Sequence, residues 1–373
     1  MARQQKLVSA SLVNLSLKLL SYFSKNESDN VVLSPSSLFF ILSLLINGAT
    51  GDTQSEILQA LALEDVSLDC LDQLNLGKIR DLDGSAFEAV EIANAVFVSK
   101  GISIKPEFTA IASRSYRAIT ESVDFSSQED LARLDQWVVE KTHGRIKSIS
   151  DTIDASMGMA LVNALYFKDD WREKFDAKDT TNETFALDSA RPKMVQMMNQ
   201  TEEFGYNTFN GHQFVSMPYQ CRTCDMVFVL PHSNSSPEQF LSEFSADNWA
   251  EASFPAQKLI LSLPKFKLES SLMLAGALNG LGIHKLFHPM DASLKNISEV
   301  DQLFVGDVIQ KVFLEVTEEG TEAAFLTEAL LTLGAAFPVR VTPIEIKFNR
   351  PFLFFLRNLL NGDVLAAGII RDP

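Results

Sequence analysis

A connection from Glu318 to Pro343, EEGTEAAFLTEALLTLGAAFPVRVTP, separates the apolar runs VIQKVFLEV and IEIKF. Loops beyond about 12 to 15 residues are uncommon inside a folded domain, and those that occur are functional or disordered. This one lacks the Gly/Ser-rich or Pro-rich polar character of a linker; it carries Phe325, Leu326, Leu330, Leu331 and Leu333. At strand period, Thr321, Ala323, Phe325, Thr327, Ala329, Leu331 and Leu333 share one face, and Glu322, Ala324, Leu326, Glu328, Leu330 and Thr332 share the other. One face is mostly apolar and the other holds both acids, the pattern of a strand in search of a sheet. TEALLTL also has good helix propensity, so an exposed helical turn is the rival in the resting state. The segment is expected to be exposed at one time and buried at another.

The rest of the chain fits a single large core, with 46% hydrophobic residues and no Gly/Ser run, Pro run or fixed-period repeat. A net charge of −16 argues against nucleic acid, heparin-like polyanions and acidic membrane surfaces as partners. The longest apolar run, Leu38 to Ile46, is far shorter than the roughly 20 residues of a membrane span. The N-terminal stretch, interrupted by Ser9, Ser11, Asn14, Ser16 and Lys18, reads as an amphipathic helix and not as a signal peptide. As it stands this predicts a cytoplasmic protein, although a chain already processed for secretion would look the same. Sequons at Asn14, Asn26, Asn182, Asn199, Asn234 and Asn296 permit secretion. Three cysteines, an odd number, argue against a disulfide framework. Cys221 and Cys224 form a CRTC pair in an expected hairpin turn, without the βαβ context of a thioredoxin-like motif.

Periodicity predicts helices over Leu7–Phe23, Ser37–Ile46, Lys105–Tyr116, Gln128–Thr142, Ser236–Trp249 and Leu272–Leu281. Ser34, Ser36 or Ser37 is expected to cap the second of these beside Pro35, and Asp52 or Thr53 to cap a further helix. Gly144 and Gly282 are the expected helix stops. Strands are expected over Asn30–Leu33, Glu91–Val98, Met157–Phe167 and Leu259–Leu268, with a short extended piece at Val123–Phe125. Several more fall within Thr184–Asn199 and Phe204–Pro231. The run Met157–Phe167 is continuously apolar and suits the centre of a sheet covered on both faces. Irregular mixing of strand clusters with helices indicates α+β.

EEGTEAA resembles the proximal hinge of the serpins, and FNRPFLFF, Phe348 to Phe355, resembles their C-terminal signature. VVLSPSSL, NGATGDTQSEI, ALVNALYFKDDW, LPKFKLES and LGIHKLF resemble further landmarks of that family, in order, so the likeness covers nearly the whole chain. It implies the serpin fold on one domain over residues 1–373, with three β-sheets, about eight or nine helices and an exposed reactive-centre loop near residues 318–343. It also implies a suicide substrate and no enzyme: a target serine protease cleaves the loop, which inserts into the main sheet and carries the acylated protease with it. The alternative within the family is a non-inhibitory binding, storage or chaperone-like protein. Chain dimensions allow the first. A chain of 373 residues is roughly 50 Å across, and the extended stretch from Glu319 to Gly334 reaches about 53 Å.

The resemblance assigns Glu318, Glu319, Gly320, Thr321, Glu322, Ala323 and Ala324 to the hinge. Trp171 and Lys265 fall at the breach, where the loop first enters, with a Lys265–Glu318 ion pair expected there. Ser34, Ser37 and Asn163 fall at the shutter, together with Gln310, where many serpins have histidine; glutamine keeps a donor and an acceptor but does not titrate. Counting forward from Glu318 places the scissile bond at Gly334–Ala335, and Leu333, Gly334, Ala335 and Phe337 then imply an elastase- or chymotrypsin-like target. Counting back from FNRPF points to Arg340 and a trypsin-like one. Phe325 and Leu326 stand where the family usually has small residues, and their bulk is expected to slow insertion. The protein is expected to be a monomer that binds target protease without cofactor or metal. His284 and His288 could share a helix face as zinc ligands, but KLF between them reads as a helix end and no third ligand is in view. No GxSxG, HExxH or phosphate-loop sequence is present.

Overall fold

The computed structural model describes residues 2–83, 90–187, 192–321 and 342–373. In chain order these form α1 (Ala2–Asn26), β1 (Val31–Leu33), α2 (Pro35–Gly48), α3 (Gly51–Ala60), α4 (Leu68–Asp83), β2 (Val90–Ser99), α5 (Pro106–Tyr116), β3 (Ala118–Val123) and α6 (Gln128–Lys141). Next come β4 (Met159–Phe167), β5 (Asp169–Asp170), β6 (Thr181–Ala186), β7 (Pro192–Phe209), β8 (His212–Pro218), β9 (Cys224–Leu230), α7 (Pro237–Glu243) and α8 (Ala246–Glu251). The chain ends with β10 (Ala256–Pro264), β11 (Phe266–Met273), α9 (Ala275–Gly280), β12 (Val305–Val316), β13 (Gly320–Thr321), β14 (Ile344–Lys347), β15 (Phe352–Asn358) and β16 (Val364–Ile370). The mixture is α+β, as expected.

Helix α1 is long and apolar enough to cross a bilayer by length and composition. Its apolar stripe of Val8, Leu12, Leu15, Leu19 and Phe23 is instead buried in the protein's own core. Helix α2 is apolar nearly all round and correspondingly interior; Pro35 opens it and the Ser34 hydroxyl accepts from Ser37 N.

Among the described residues, one sheet has the order β3-β2-β4-β12-β13-β5, with β11 on the outer side of β12. The other hydrogen-bonded network runs β1-β16-β15-β9-β8-β7-β10-β14, with β6 on β7. The long strand β7 pairs with β6 along its first part, with β10 through its middle and with β8 at its end, so this network is two sheets sharing one strand. Strand β4 is buried at every position, between antiparallel β2 and parallel β12. Burial on both faces is what its unbroken apolar run requires.

Several boundaries differ from expectation. Leu259–Leu268 is two strands in different sheets, β10 and β11, parted at Lys265 after Pro264, which has no amide to continue a ladder. Ser236–Trp249 is two helices, because Ser245 forms a capping box with Asn248 and restarts the helix. The cap of α3 is Thr50, not Asp52 or Thr53. Asp52 pairs with Lys285, and Thr53 Oγ1 accepts from Ser293 N. Strand β3 ends at Val123, where an extended piece to Phe125 was expected, and β11 takes up Leu272 and Met273, so α9 starts later than the apolar pattern suggests. Helix α4 was not anticipated from the sequence; its apolar face meets α5 and α2.

Candidate functional site

Strands β4 and β12 point the same way and pair from Met159 with Val305 to Leu165 with Val312, with one bulge between Val305 and Asp307. Beyond that point they part, and the two-residue strand β13 lies in the gap. Thr321 pairs with Val316 of β12 on one side and with Asp169 of β5 on the other, antiparallel to both. The chain gets there by a tight reversal in which Thr317 N donates to the Gly320 carbonyl at 2.9 Å. Glycine is required at 320 because a Cβ would stand 2.3 Å from the Asp169 carbonyl oxygen and 2.6 Å from Asp170 Cα. Thr321 is fully buried, with its Oγ1 2.5 Å from the Tyr219 hydroxyl.

Trp171 closes the top of the gap. Its backbone N donates to Glu319 O at 2.8 Å, its Nε1 donates to Thr317 O at 3.0 Å, and its ring stacks on Tyr219 at 4.4 Å. Glu318 and Glu319 are both paired. Lys174 Nζ lies 2.7 Å from Glu319 and 2.7 Å from Asp170, and Lys265 Nζ lies 2.9 Å from Glu318, which also accepts from Thr180 Oγ1 at 2.8 Å. Burial pushes the Glu318 carboxyl up, but the bonds from Lys265, its own backbone and Thr180 outweigh it, and the group sits below its ordinary 4.5. A carboxyl depressed on folding contributes stability that is fully present above its unfolded value and is lost as pH falls through the folded one. Lys265 is 32% exposed, so the pair is worth about 1 kcal/mol or less. Lys265→Ala is therefore expected to lower the urea midpoint slightly at neutral pH and to match the parent at a pH acid enough to protonate Glu318 in the folded protein. A gap persisting at that pH would place the effect in the packing of the lysine stem.

Lower down, a buried polar chain crosses three strands. Gln310 Nε2 donates to Ser34 O and to Asn163 Oδ1, both at 2.9 Å, and its Oε1 accepts from Ser34 N at 2.8 Å. Asn163 Nδ2 donates to Asn94 Oδ1 at 2.5 Å. Ser34 Oγ meets Ser37 Oγ at 2.7 Å and donates to the Leu365 carbonyl at 2.8 Å. Asn94, Asn163 and Gln310 are register partners on β2, β4 and β12, so the amides cross-link all three strands. Every polar atom of Gln310 is used. Gln310→Leu would strand the Ser34 N–H and Asn163 Oδ1, while the Ser34 carbonyl keeps Leu38 N at 3.2 Å, and is expected to cost about 2 to 4 kcal/mol in denaturant unfolding; a change below about 1 kcal/mol would mean the network relaxes without it.

The structure thus brings together Glu318, Glu319, Gly320, Thr321, Trp171 and Lys265, and separately Ser34, Ser37, Asn163 and Gln310. Glu322, Ala323, Ala324, Phe325, Leu326, Leu333, Gly334, Ala335 and Arg340 lie outside the described residues. His284 and His288 flank a single 3₁₀ turn, and His288 Nδ1 pairs with Asp291 at 2.8 Å. Sequence reading missed Asn94, a lone amide inside the apolar run AVEIANAVFV, which was a usable signal. It also missed Tyr219, Lys174 and Thr180, whose roles arise from contacts across 100 or more positions and leave no local trace.

A family model described as Serpin (serine protease inhibitor) matches residues 10–373. A leukocyte elastase inhibitor of Xenopus laevis is 33% identical over 362 residues, covering 93% of this chain and 94% of that protein. The crystal structure of mouse protein-Z dependent protease inhibitor shares the fold with a TM-score of 0.88 at 24% identity, covering 100% of this chain and 98% of that one. Human thyroxine-binding globulin does so with a TM-score of 0.89 at 23% identity, covering 99% of each chain.

Proposed function

Because this chain belongs to the serpin family, we propose that it is an inhibitory member, acting as one domain and as a suicide substrate for an elastase- or chymotrypsin-like serine protease. The observation that carries this reading is β13. Two residues of the loop's base already sit between β12 and β5, antiparallel to each. A strand prolonged from them would replace the parallel ladder of β4 with β12 by two antiparallel ladders, the stronger arrangement per residue. The loop sequence supplies apolar residues at alternate positions for the inward face. None of the chain's own groups does chemistry; they hold the gap until the loop is cut, and then accept it.

Leu333, Gly334 and Ala335 set the proposed cleavage region, with Arg340 as the trypsin-like alternative. The relative named leukocyte elastase inhibitor supports the first choice. Phe325 and Leu326 favour a second reading, a non-inhibitory member whose insertion is too slow to trap an acyl-enzyme. Incubation with elastase, chymotrypsin and trypsin separates the two. A detergent-stable adduct and a released peptide beginning at Ala335 are expected. Full cleavage by all three enzymes with no adduct would sink the inhibitory reading.

A further inference from the structure

The turn between β8 and β9 carries CRTC, whose thiols take no part in the proposed trap. Cys221 and Cys224 are free and hydrogen-bond one another, and Thr223 Oγ1 donates to Cys221 Sγ at 3.3 Å. The turn is drawn in by Tyr219 N donating to Cys224 O at 3.1 Å, and by Arg222, at φ 60°, donating its N–H to Tyr219 O at 3.3 Å. Cysteines three apart in a reversal lie within the reach of a disulfide. Cys221 keeps 7% exposure against 3% for Cys224, and its neighbours Gln220 and Arg222 are exposed.

The same turn is fastened to the hinge. Cys221 N donates to Asp169 Oδ2 at 3.0 Å, Asp169 is the register partner of Thr321, and the Tyr219 hydroxyl holds the Thr321 hydroxyl. We propose that Cys221 and Cys224 are a reversible disulfide site, closed by exchange with small anionic disulfides of the glutathione type, and that closure acts on the hinge strand through Asp169 and Tyr219. Exposed Arg222 offers a cation to the carboxylates of such a reagent.

The exchange balances. Cys221, as thiolate, attacks one sulfur of the small disulfide; that S–S bond breaks, and one small thiol leaves with the proton Cys221 released. Cys224 then loses its proton and attacks the Cys221 sulfur of the mixed disulfide, and the second small thiol leaves with that proton. Two protein thiols are oxidised, and one small disulfide is reduced to two thiols. The surroundings set the order. The bond from Cys224 lowers the Cys221 thiol against the cost of burial, with a further bond from Asp169, while Cys221 and burial push Cys224 up. Burial and the neighbouring Cys221 push the Asp169 carboxyl up to about 7, so near neutrality it can donate to that thiolate.

The test uses the full chain carrying Cys70→Ser, equilibrated in glutathione buffers from reducing to oxidising, acid-quenched and alkylated for mass analysis. Both labels are expected to disappear together, with Cys221 and Cys224 recovered in one bridged peptide. Cys224→Ser should stop at the mixed disulfide on Cys221, and Cys221→Ser should collect at least about tenfold less of it. Closure should also change amide hydrogen exchange over Asp169–Trp171 by about threefold or more. Two thiols that remain labelled throughout would overturn the site, and closure without altered exchange would overturn its action on the hinge. Neither readout involves a protease, so either failure leaves the inhibitory reading standing.

Discussion

A single cut in the loop between Leu333 and Arg340 is expected to raise the thermal unfolding midpoint of the intact protein by about 10 °C or more. The reason lies in what the cut releases. Before cleavage the loop is tethered at both ends, at β13 and at β14, and β14 pairs in parallel with β10 in the other network. Gly320 and Thr321 already occupy the gap. After cleavage the segment behind Thr321 is free to follow them. It would part β4 from β12, exchange one parallel ladder for two antiparallel ones, and bury Phe325, Leu331 and Leu333 at roughly 2 kcal/mol each. Ordering the segment opposes this, so the net gain is smaller than the gross. Unfolding entropy near 2.1 cal/mol/K per residue means that a chain of 373 residues needs about 8 kcal/mol net for each 10 °C. Nicked and intact samples melting within about 2 °C of each other would leave a net gain under about 2 kcal/mol, too little to drive a trap. Gln310 contributes no pH dependence to this transition between pH 5 and 8, because an amide does not titrate.

What could be read beforehand follows a physical division. Local signals were sound where a residue's own neighbours decide its conformation: Ser34 before Pro35, and the unbroken apolar run that became β4 at the centre of its sheet. They failed where tertiary contact overrides local pattern. Lys265 sits in a run that reads as one strand, yet the chain changes sheets there, and that break is what delivers the lysine to Glu318. The Lys265–Glu318 pair and the placing of Asn163 and Gln310 in one region are legible only through the family resemblance, and the bond between the two amides only in the folded protein. Tyr219 and Lys174 had no signal of either kind, since each acts on a partner that only folding brings near.

Gly320→Val is expected to convert the protein from inhibitor to substrate, raising the moles of inhibitor consumed per mole of protease by at least about tenfold. In the proposed trap, insertion and deacylation would compete from the same acyl-enzyme, so only the difference between their barriers would matter. A tenfold change in the ratio of hydrolysis to trapping corresponds to about 1.4 kcal/mol added to insertion alone, and because the moles consumed are one plus that ratio, a tenfold rise in consumption needs more than this. The added Cβ would stand 2.3 Å from the Asp169 carbonyl oxygen and 2.6 Å from Asp170 Cα. Both are backbone atoms of a strand fixed on its other flank, where Cys221 N holds Asp169 and Gln220 N donates to the Asp170 carbonyl at 2.9 Å. Neither can yield as a flexible side chain would. Relief by displacing β13 also removes the Thr321–Val316 pairing from which the strand would grow. Gly320→Ala carries the same Cβ and should reproduce most of the loss, whereas an effect caused by valine's bulk alone would spare it. Ala323→Pro, which removes a strand donor three residues on, should act in the same direction. The loop should still be cut at the same bond in all three variants, with cleaved protein accumulating in place of adduct. An unchanged stoichiometry in Gly320→Val would mean that the cleaved loop does not enter between β12 and β5 at this point, and the route drawn from β13 would be wrong.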